Sequence, residues 1–128
     1  MQNKIDPKEY SPLALAYMGD AVFDILVRSF VLAKGNMPAN KLHKIAKGYV
    51  NAASQAKMYM HLEELVTEEE LAVLKRGRNA KSYTTAKNQS VTDYRHATGL
   101  EALFGYLYLK GDKDRINELF EICLKVME

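Results

Sequence analysis

Isolated carboxylates in apolar surroundings are the residues of this sequence best suited to chemistry. Asp20 and Asp24 are the only acidic or basic residues between positions 11 and 27, and Glu101 is the only one between positions 97 and 109. An ionised carboxylate among apolar side chains needs a cation, a hydrogen-bond network or a metal ion to offset its lost hydration. Small neighbours beside Asp20 and Glu101 leave room for an ion or a phosphate. Two such acids from different helices would suit Mg²⁺, which one or two carboxylates commonly hold together with substrate phosphates.

Spacing leaves two interpretations of these acids open. Asp24 lies four residues before Arg28, which is the spacing of a helical ion pair and favours a structural role. Asp20 has no basic residue three or four positions away. Asp20 and Glu101 are therefore either metal ligands or buried acids satisfied by hydrogen bonds, and spacing alone does not decide between these alternatives.

Other common catalytic arrangements are absent from the sequence. The three histidines lack the spacing of zinc ligands, and Cys123, the single cysteine, cannot form an internal disulfide. The serine and threonines of residues 82–85 have no neighbouring histidine to complete a hydrolase triad. Gly77 alone is too little for a nucleotide-binding loop. Chemistry is therefore expected from the acids.

Positive charge is concentrated in two segments without acidic residues, 25–62 and 71–92. The net charge is only +2 because the acids lie elsewhere, mainly in residues 63–70 and near the C-terminus. If the two segments share a face, they form a surface for a polyanion, and its affinity would fall as the salt concentration rises. The alternative is ordinary solvated helix surface. The basic residues are Arg28, Lys34, Lys41, Lys44, Lys47 and Lys57 in the first segment, and Lys75, Arg76, Arg78, Lys81 and Lys87 in the second.

The elements that position these residues are predicted to be helices, because strand patterns are nearly absent. The length of 128 residues corresponds to one domain, residues 1–128. Caps and apolar spacing predict five helices and a polar loop, residues 77–89, which is the first candidate for a functional loop. The predicted helices run from the Ser11–Pro12 cap to Lys34–Gly35, from an Asn40 cap to Met60, from Glu68 to about Arg76 after a Thr67 and Glu70 capping box, from a Ser90 and Asp93 capping pair to about Lys110, and from beyond Gly111–Asp112 to near Val126.

The composition indicates a folded protein outside the membrane. Hydrophobic residues make up 48% of the chain, charged residues 27%, and there are only three prolines, which excludes disorder and collagen-like repeats. The most apolar stretch, residues 12–31, contains three charged residues that are costly in a bilayer. The first residues lack the pattern of a secretory signal. A cytoplasmic location is expected.

Two segments resemble the ribonuclease III family. Residues 17–23, Tyr-Met-Gly-Asp-Ala-Val-Phe, resemble the family signature, whose core is Leu-Gly-Asp-Ala-Val on a helix. Residues 100–107, Leu-Glu-Ala-Leu-Phe-Gly-Tyr-Leu, resemble its second motif, Phe-Glu-Ala-Leu-Ile-Gly-Ala. Residues 74–82 and the Leu-Ala-Leu-Ala-Tyr of residues 13–17 are similar to the Mini-ribonuclease III branch, a catalytic domain without a double-stranded-RNA-binding domain. The resemblance covers roughly residues 11–128.

The resemblance implies an all-helical (all-α), homodimeric endoribonuclease that uses Mg²⁺ to cut double-stranded RNA, leaving 5′-phosphate and 3′-hydroxyl ends. The family's invariant aspartate corresponds to Asp20 and its metal-binding glutamate to Glu101, so both are implied as catalytic residues and metal ligands. The implied substrate is the precursor of 23S ribosomal RNA, with a ribosomal protein on the substrate as a candidate helper. The expected RNA contacts are Lys75, Arg76, Arg78, Asn79, Lys81, Ser82, Lys87 and Arg95.

The match departs from full-length ribonuclease III at three acidic positions. Leu13 and Ala16 stand where that family has glutamates seven and four residues before the aspartate, and Thr98 stands where its second motif has an aspartate. The Mini branch shares these departures, which favour one Mg²⁺ per subunit. In the basic loop, Tyr83 and Ala86 stand where the branch usually has glycine and proline.

A second hypothesis is a non-catalytic helical module that binds structured RNA or the ribosome through the same basic face. The loss of three family acids favours this module, whereas the retention of Asp20 and Glu101 among apolar neighbours argues against it. A small helical protein-interaction module explains neither the isolated acids nor the basic loop, and it ranks last.

Overall fold

The structure, a computed structural model, describes residues 5–81 and 90–128. Within these ranges the chain forms one short 3-10 turn and six α-helices, and no strand, which confirms the predicted all-helical class. No helix in the described part of the chain combines the length and the apolar character needed to cross a membrane. The elements are the turn Pro7–Glu9 and the helices α1 (Pro12–Leu32), α2 (Ala39–Lys47), α3 (Ala52–Leu62), α4 (Glu68–Asn79), α5 (Val91–Lys110) and α6 (Lys113–Val126).

Helix α5 is the centre of the fold and packs against α1, α3 and α4. Every residue from 97 to 107 is buried except Glu101, so this part of α5 has apolar neighbours on all sides. The Phe23 ring of α1 meets Phe104 of α5 and Phe120 of α6 edge-on, with centroids 5.5 and 5.8 Å apart. The apolar core therefore surrounds the helix that carries Glu101.

Glycines let α5 approach its neighbours at backbone contact distance. A Cβ atom at Gly19 would overlap the carbonyl oxygen of Glu101, and one at Gly105 would overlap the carbonyl oxygen of Leu15. Gly77 of α4 has the same role on another side, where a Cβ atom would lie 2.8 Å from a Cα atom of α5. Any larger residue at these positions would force the helices apart. The relative placement of α1 and α5 is therefore set by direct backbone contact.

The predicted caps form at the starts of α1, α4 and α5. The Ser11 hydroxyl accepts a hydrogen bond from the amide three residues later at 3.1 Å, and the Ser90 hydroxyl does the same at 3.3 Å. At α4 the capping box of Thr67 and Glu70 is complete in both directions. These acceptors satisfy amides that the first helical turn leaves unpaired.

The predicted single helix from Asn40 to Met60 is wrong, because the chain forms α2 and α3 with a turn between them. Gly48 ends α2, and Asn51 caps α3 by accepting a hydrogen bond from the Ser54 amide at 2.8 Å. The Ser54 hydroxyl donates to the Gly48 carbonyl at 2.8 Å and closes the turn. Apolar residues keep a helical spacing across this turn, so periodicity alone concealed it.

Two predicted helix ends also differ. Helix α2 begins one residue before Asn40, so Asn40 is not its cap. Helix α4 continues to Asn79 instead of ending near Arg76, because Gly77 packs inside the helix against α5 and does not end it. The predicted loop is therefore shorter at its start, and residues 82–89 lie outside the described residues.

Helix α6 closes the fold through one polar and one apolar contact. The Arg115 guanidinium donates two hydrogen bonds of 2.8 Å to the carboxylate of Glu70, which is 5% exposed. This pairing holds the pKa of Glu70 below its usual value. Cys123 lies fully buried in the core, and burial raises the pKa of its thiol to about 12. Both contacts attach α6 to the bundle around α5.

Candidate active site

The structure brings the two predicted acids together where α1 meets α5. Asp20 directly follows Gly19, whose backbone lies against the Glu101 carbonyl, so the two residues occupy adjoining positions on neighbouring helices. Their carboxyl groups are within hydrogen-bonding reach of each other. The site is thus placed by the same backbone contact that sets the packing of α1 on α5.

The two acids differ in their exposure and electrostatics. Asp20 is exposed, whereas Glu101 is partly buried as a residue, with its carboxyl largely enclosed by protein. Burial, followed by the effect of the neighbouring Asp20 carboxylate, raises the pKa of Glu101 from 4.5 to about 8. The expectation of an acid within apolar surroundings therefore holds for Glu101 but not for Asp20. The exposed acid faces solvent, and the buried acid lies behind it.

The buried acid predicts a pH dependence of stability for the metal-free protein. Because the pKa of Glu101 is about 8 in the folded chain and near 4.5 when the chain unfolds, the folded state retains a proton that the unfolded state releases. The stabilising contribution is complete below about pH 4.5 and is lost as the pH rises towards 8. We expect Glu101→Gln to remove this loss, so that its thermal midpoint in chelator exceeds that of wild type by several degrees near pH 8.

The measurement is thermal unfolding of both proteins across this pH range. At pH 5 the two midpoints are expected to differ less than at pH 8, because wild-type Glu101 is then protonated in the folded state. A difference between the midpoints that stays constant with pH would contradict the raised pKa.

Gln55 of α3 is a third polar side chain at this place, and nothing in the sequence pattern marked it. The residue is 5% exposed, and its amide lies close enough to Glu101 to lower the pKa of that carboxyl, against the larger effects of burial and Asp20. No atom of the described residues forms a hydrogen bond of acceptable geometry with its Nε2 atom. An uncharged glutamine between a serine and an alanine gives no chemical signal until its burial is known.

The paired carboxylates fit a hard divalent cation. Two acids held in contact repel each other when both are ionised, and a cation beside them reverses this effect. In residues 5–81 and 90–128, no group of three or more His, Cys, Asp or Glu side chains is arranged to hold a metal. Asp24 is engaged elsewhere, because its Oδ2 accepts a hydrogen bond of 2.9 Å from Arg28 Nε, as the spacing predicted. Water and ligand oxygens would therefore complete the shell, as is usual for Mg²⁺.

Three of the expected RNA contacts, Lys75, Arg76 and Asn79, lie on the exposed surface of α4. Lys75 and Arg76 are exposed, and the Arg76 guanidinium reaches the Tyr10 carbonyl at 3.4 Å. Asn79, Lys81 and Arg95 are also exposed, whereas Ser82 and Lys87 lie outside the described residues.

Arg78 differs from these residues because it turns towards the protein. Its Nη1 atom lies 3.3 Å from Glu63 Oε2, and the two side chains are only 30% and 27% exposed. The same Glu63 oxygen accepts a hydrogen bond of 3.0 Å from the hydroxyl of the buried Tyr59. Arg78 therefore has a structural contact that its position in a basic segment did not reveal.

A second basic surface follows α2. Lys44 and Lys47 line a groove of about 570 Å³ between α2 and α1, and His43 contributes to the same wall. The groove reaches Asp24, one helical turn along α1 from Asp20. Positive charge is therefore present close to the paired acids as well as on α4.

Helix α1 also exposes apolar side chains next to the acids. Tyr17 is 82% exposed and Leu13 is 40% exposed. Both lie on the face of α1 that carries Asp20, because they precede it by three and seven residues. Large apolar side chains grouped on an exposed helix face are typical of a contact surface.

Known proteins resemble this chain in sequence and in fold. The model of the Ribonuclease III domain matches residues 13–112, which contain both acids. Mini-ribonuclease 3 of Brevibacillus brevis is 49% identical over 123 residues, covering 96% of this chain and 92% of that protein. Mini-ribonuclease 3 of Enterococcus faecalis is 48% identical over 122 residues, covering 94% and 92%. The crystal structure of a protein from Fusobacterium nucleatum matches with a TM-score of 0.84 at 32% identity, covering 94% of this chain and 96% of that one.

Proposed function

The chain belongs to the ribonuclease III family, in its Mini-ribonuclease III branch, and on that premise we propose that it cuts double-stranded RNA with Mg²⁺ held by Asp20 and Glu101. Membership makes it an endoribonuclease. The observation that carries the metal assignment is the contact between an exposed and a buried carboxylate at the junction of α1 and α5. Both acids lie within the residues that match the family model.

The two acids have different parts in hydrolysis of the phosphodiester. Asp20, exposed at the surface, lies where the scissile phosphate can approach, and Glu101 is anchored behind it by the buried helix α5. When bound, Mg²⁺ would supply Lewis-acid stabilisation of the phosphate and a water activated for attack. The fixed backbones of α1 and α5 hold both carboxylates in place, so little reorganisation accompanies the reaction. The products are a 5′-phosphate and a 3′-hydroxyl.

We propose that exposed basic residues on α4, α5 and α2 hold the RNA backbone. A-form RNA presents phosphates and 2′-hydroxyls across a wide minor groove, and contacts to these groups recognise shape more than sequence. Arg78 contributes mainly to the stability of the fold, through its ion pair with Glu63. The proposed contacts are Lys75, Arg76, Asn79, Lys81 and Arg95, with Ser82 and Lys87 from the sequence and with Lys44 and Lys47 of α2.

The basic residues of α4 differ in their expected effects on binding and on stability. Lys75→Ala and Arg76→Ala are each expected to weaken binding to an RNA duplex and to reduce the slope of log affinity against log salt by about 1. Arg78→Ala is expected to lower the thermal midpoint more than either, because it leaves the half-buried Glu63 without its cation. Binding titrations in chelator at several salt concentrations, with thermal unfolding of each variant, measure both effects. An unchanged salt slope for Lys75→Ala and Arg76→Ala would show that α4 faces away from the RNA.

We propose that the enzyme is a homodimer that uses the α1 face containing Leu13 and Tyr17. Their exposure beside Asp20 is the feature that favours this surface. A two-fold axis near this face would bring two sites to one duplex, so that each strand is cut once.

We propose the double-stranded precursor of 23S ribosomal RNA as the substrate, in the cytoplasm, with a ribosomal protein bound to the RNA as a helper. The basis is the family resemblance of the signature segments at residues 17–23 and 100–107. Contacts made mainly by exposed lysines and arginines give an affinity for RNA that falls with salt. A protein already bound to the RNA would increase this affinity.

A long perfect RNA duplex, incubated with the purified protein at low salt, tests the function. Shortening of the RNA in Mg²⁺ but not in chelator is the expected result. Retarded but intact RNA in both conditions, with a 23S precursor duplex also uncut, would favour the non-catalytic binding module. Sedimentation velocity of the same preparation is expected to give a dimer, and a monomer at micromolar concentration would contradict the paired sites.

A further inference from the structure

The unpaired amide of Gln55 lies beside the buried acid of the candidate site. Gln55 is only 5% exposed. Its Nε2 atom is enclosed by protein and has no hydrogen-bond partner among the described residues. Buried amides are nearly always hydrogen-bonded, because an unpaired donor loses its hydration without compensation. The exception here is next to Glu101, whose pKa the amide lowers.

The chemistry of a carboxylate ligand explains why a neutral donor would lie at this position. A carboxylate that binds a cation through one oxygen is held in orientation when its other oxygen accepts a hydrogen bond from the protein. Protein encloses most of the Glu101 carboxyl, so bulk water has limited access to supply that donor. A lysine or arginine there would neutralise the charge that attracts the cation, whereas an amide orients the carboxylate and leaves its charge in place.

We propose that Gln55 is a positioning residue of the metal site, whose Nε2 donates a hydrogen bond to the Glu101 carboxylate when that carboxylate holds the cation. This inference rests on the proposed function, because it assumes that Asp20 and Glu101 bind a divalent cation. Three helices then contribute to the site: α1 with the exposed acid, α5 with the buried acid, and α3 with the donor that orients it.

The test replaces the amide with an apolar side chain of similar size and measures metal binding directly. Gln55→Met retains an unbranched side chain in the buried space, and Gln55→Leu is prepared in parallel so that a folded variant without the amide is available. Ser54→Ala is the matched control, because Ser54 is the preceding buried residue of α3 but bonds to the Gly48 carbonyl, away from the acids. Mn²⁺ is titrated into each RNA-free protein and followed by electron paramagnetic resonance, and the Mg²⁺ dependence of cleavage is measured beside it.

The amide-free variants are expected to bind Mn²⁺ about tenfold more weakly, in the range seen when a group that orients a metal ligand is lost. Their cleavage is expected to need correspondingly more Mg²⁺, while their thermal midpoints in chelator stay at or above that of wild type. Ser54→Ala is expected to show the opposite combination, a lower midpoint with unchanged Mn²⁺ affinity.

The outcomes separate this inference from the function on which it rests. The wild-type protein could bind Mn²⁺ and cut RNA while Gln55→Met or Gln55→Leu binds Mn²⁺ with unchanged affinity. That result would overturn the role of Gln55 alone. A wild-type protein that neither binds Mn²⁺ nor cuts RNA would overturn both proposals.

Discussion

Asp20→Asn is expected to slow cleavage of an RNA duplex by at least about a thousandfold, which corresponds to roughly 4 kcal/mol of transition-state stabilisation. The substitution keeps the shape of the side chain but removes the exposed negative charge beside Glu101. Folding is expected to be unaffected or improved, because the repulsion within the acid pair disappears. Initial cleavage rates in saturating Mg²⁺, RNA affinity in chelator and the thermal midpoint together measure the effect.

Asp24→Asn provides the matched control on the same helix. Asp24 lies one turn after Asp20, and its contact is an exposed ion pair with Arg28. Exposed pairs of this kind contribute about 0.3 to 0.5 kcal/mol, so this variant is expected to lose little stability and to cut at nearly the wild-type rate. If Asp20→Asn cut as fast as this control, Asp20 would have no part in the mechanism.

Gly105→Ala is expected to destabilise the fold by about 3 kcal/mol or more and to abolish activity with it. The added Cβ atom would overlap the carbonyl oxygen of Leu15. The oxygen is a backbone atom and the Cβ atom is fixed to the backbone, so no change of side-chain rotamer relieves the overlap. Helices α1 and α5 would have to separate, which would also part the two acids. Denaturant unfolding at equilibrium measures this cost against a total stability that is commonly about 5 to 15 kcal/mol.

Gly48→Ala is the control for the general effect of replacing a glycine. Gly48 has a right-handed helical conformation, and a Cβ atom there would lie 3.2 Å from the Ile45 carbonyl oxygen, a contact that a small shift can relieve. This variant is expected to change stability by less than about 1 kcal/mol. Equal losses for Gly105→Ala and Gly48→Ala would show that the α1 and α5 contact tolerates separation.

Much of the fold could be predicted because its helix ends are marked by local chemistry. The serines and threonines that cap α1, α4 and α5 act on amides three residues away, so their signal lies within one short segment. The turn between α2 and α3 was missed although Gly48 and Asn51 mark it, because the apolar spacing continues through it. At this turn the capping residue Asn51, and not the apolar spacing, was the correct guide.

The candidate site was predicted in part, for a related reason. Asp20 and Glu101 could be selected because charge within an apolar helix is visible in the sequence. The position of Gln55 and the pairing of Arg78 with Glu63 depend on how different helices pack against each other. Neither a neutral amide nor an ion pair fifteen residues apart leaves a pattern at helical spacing, so both required the three-dimensional arrangement.

The buried thiol of Cys123 can report when helix α6 separates from the core. It is the single cysteine in the sequence, it has no exposed surface, and its pKa of about 12 leaves almost no thiolate at neutral pH. A thiol reagent can therefore react only with molecules in which α6 has left the core. The labelling rate under native conditions therefore reports how often α6 opens. It measures this opening in each variant without RNA or metal.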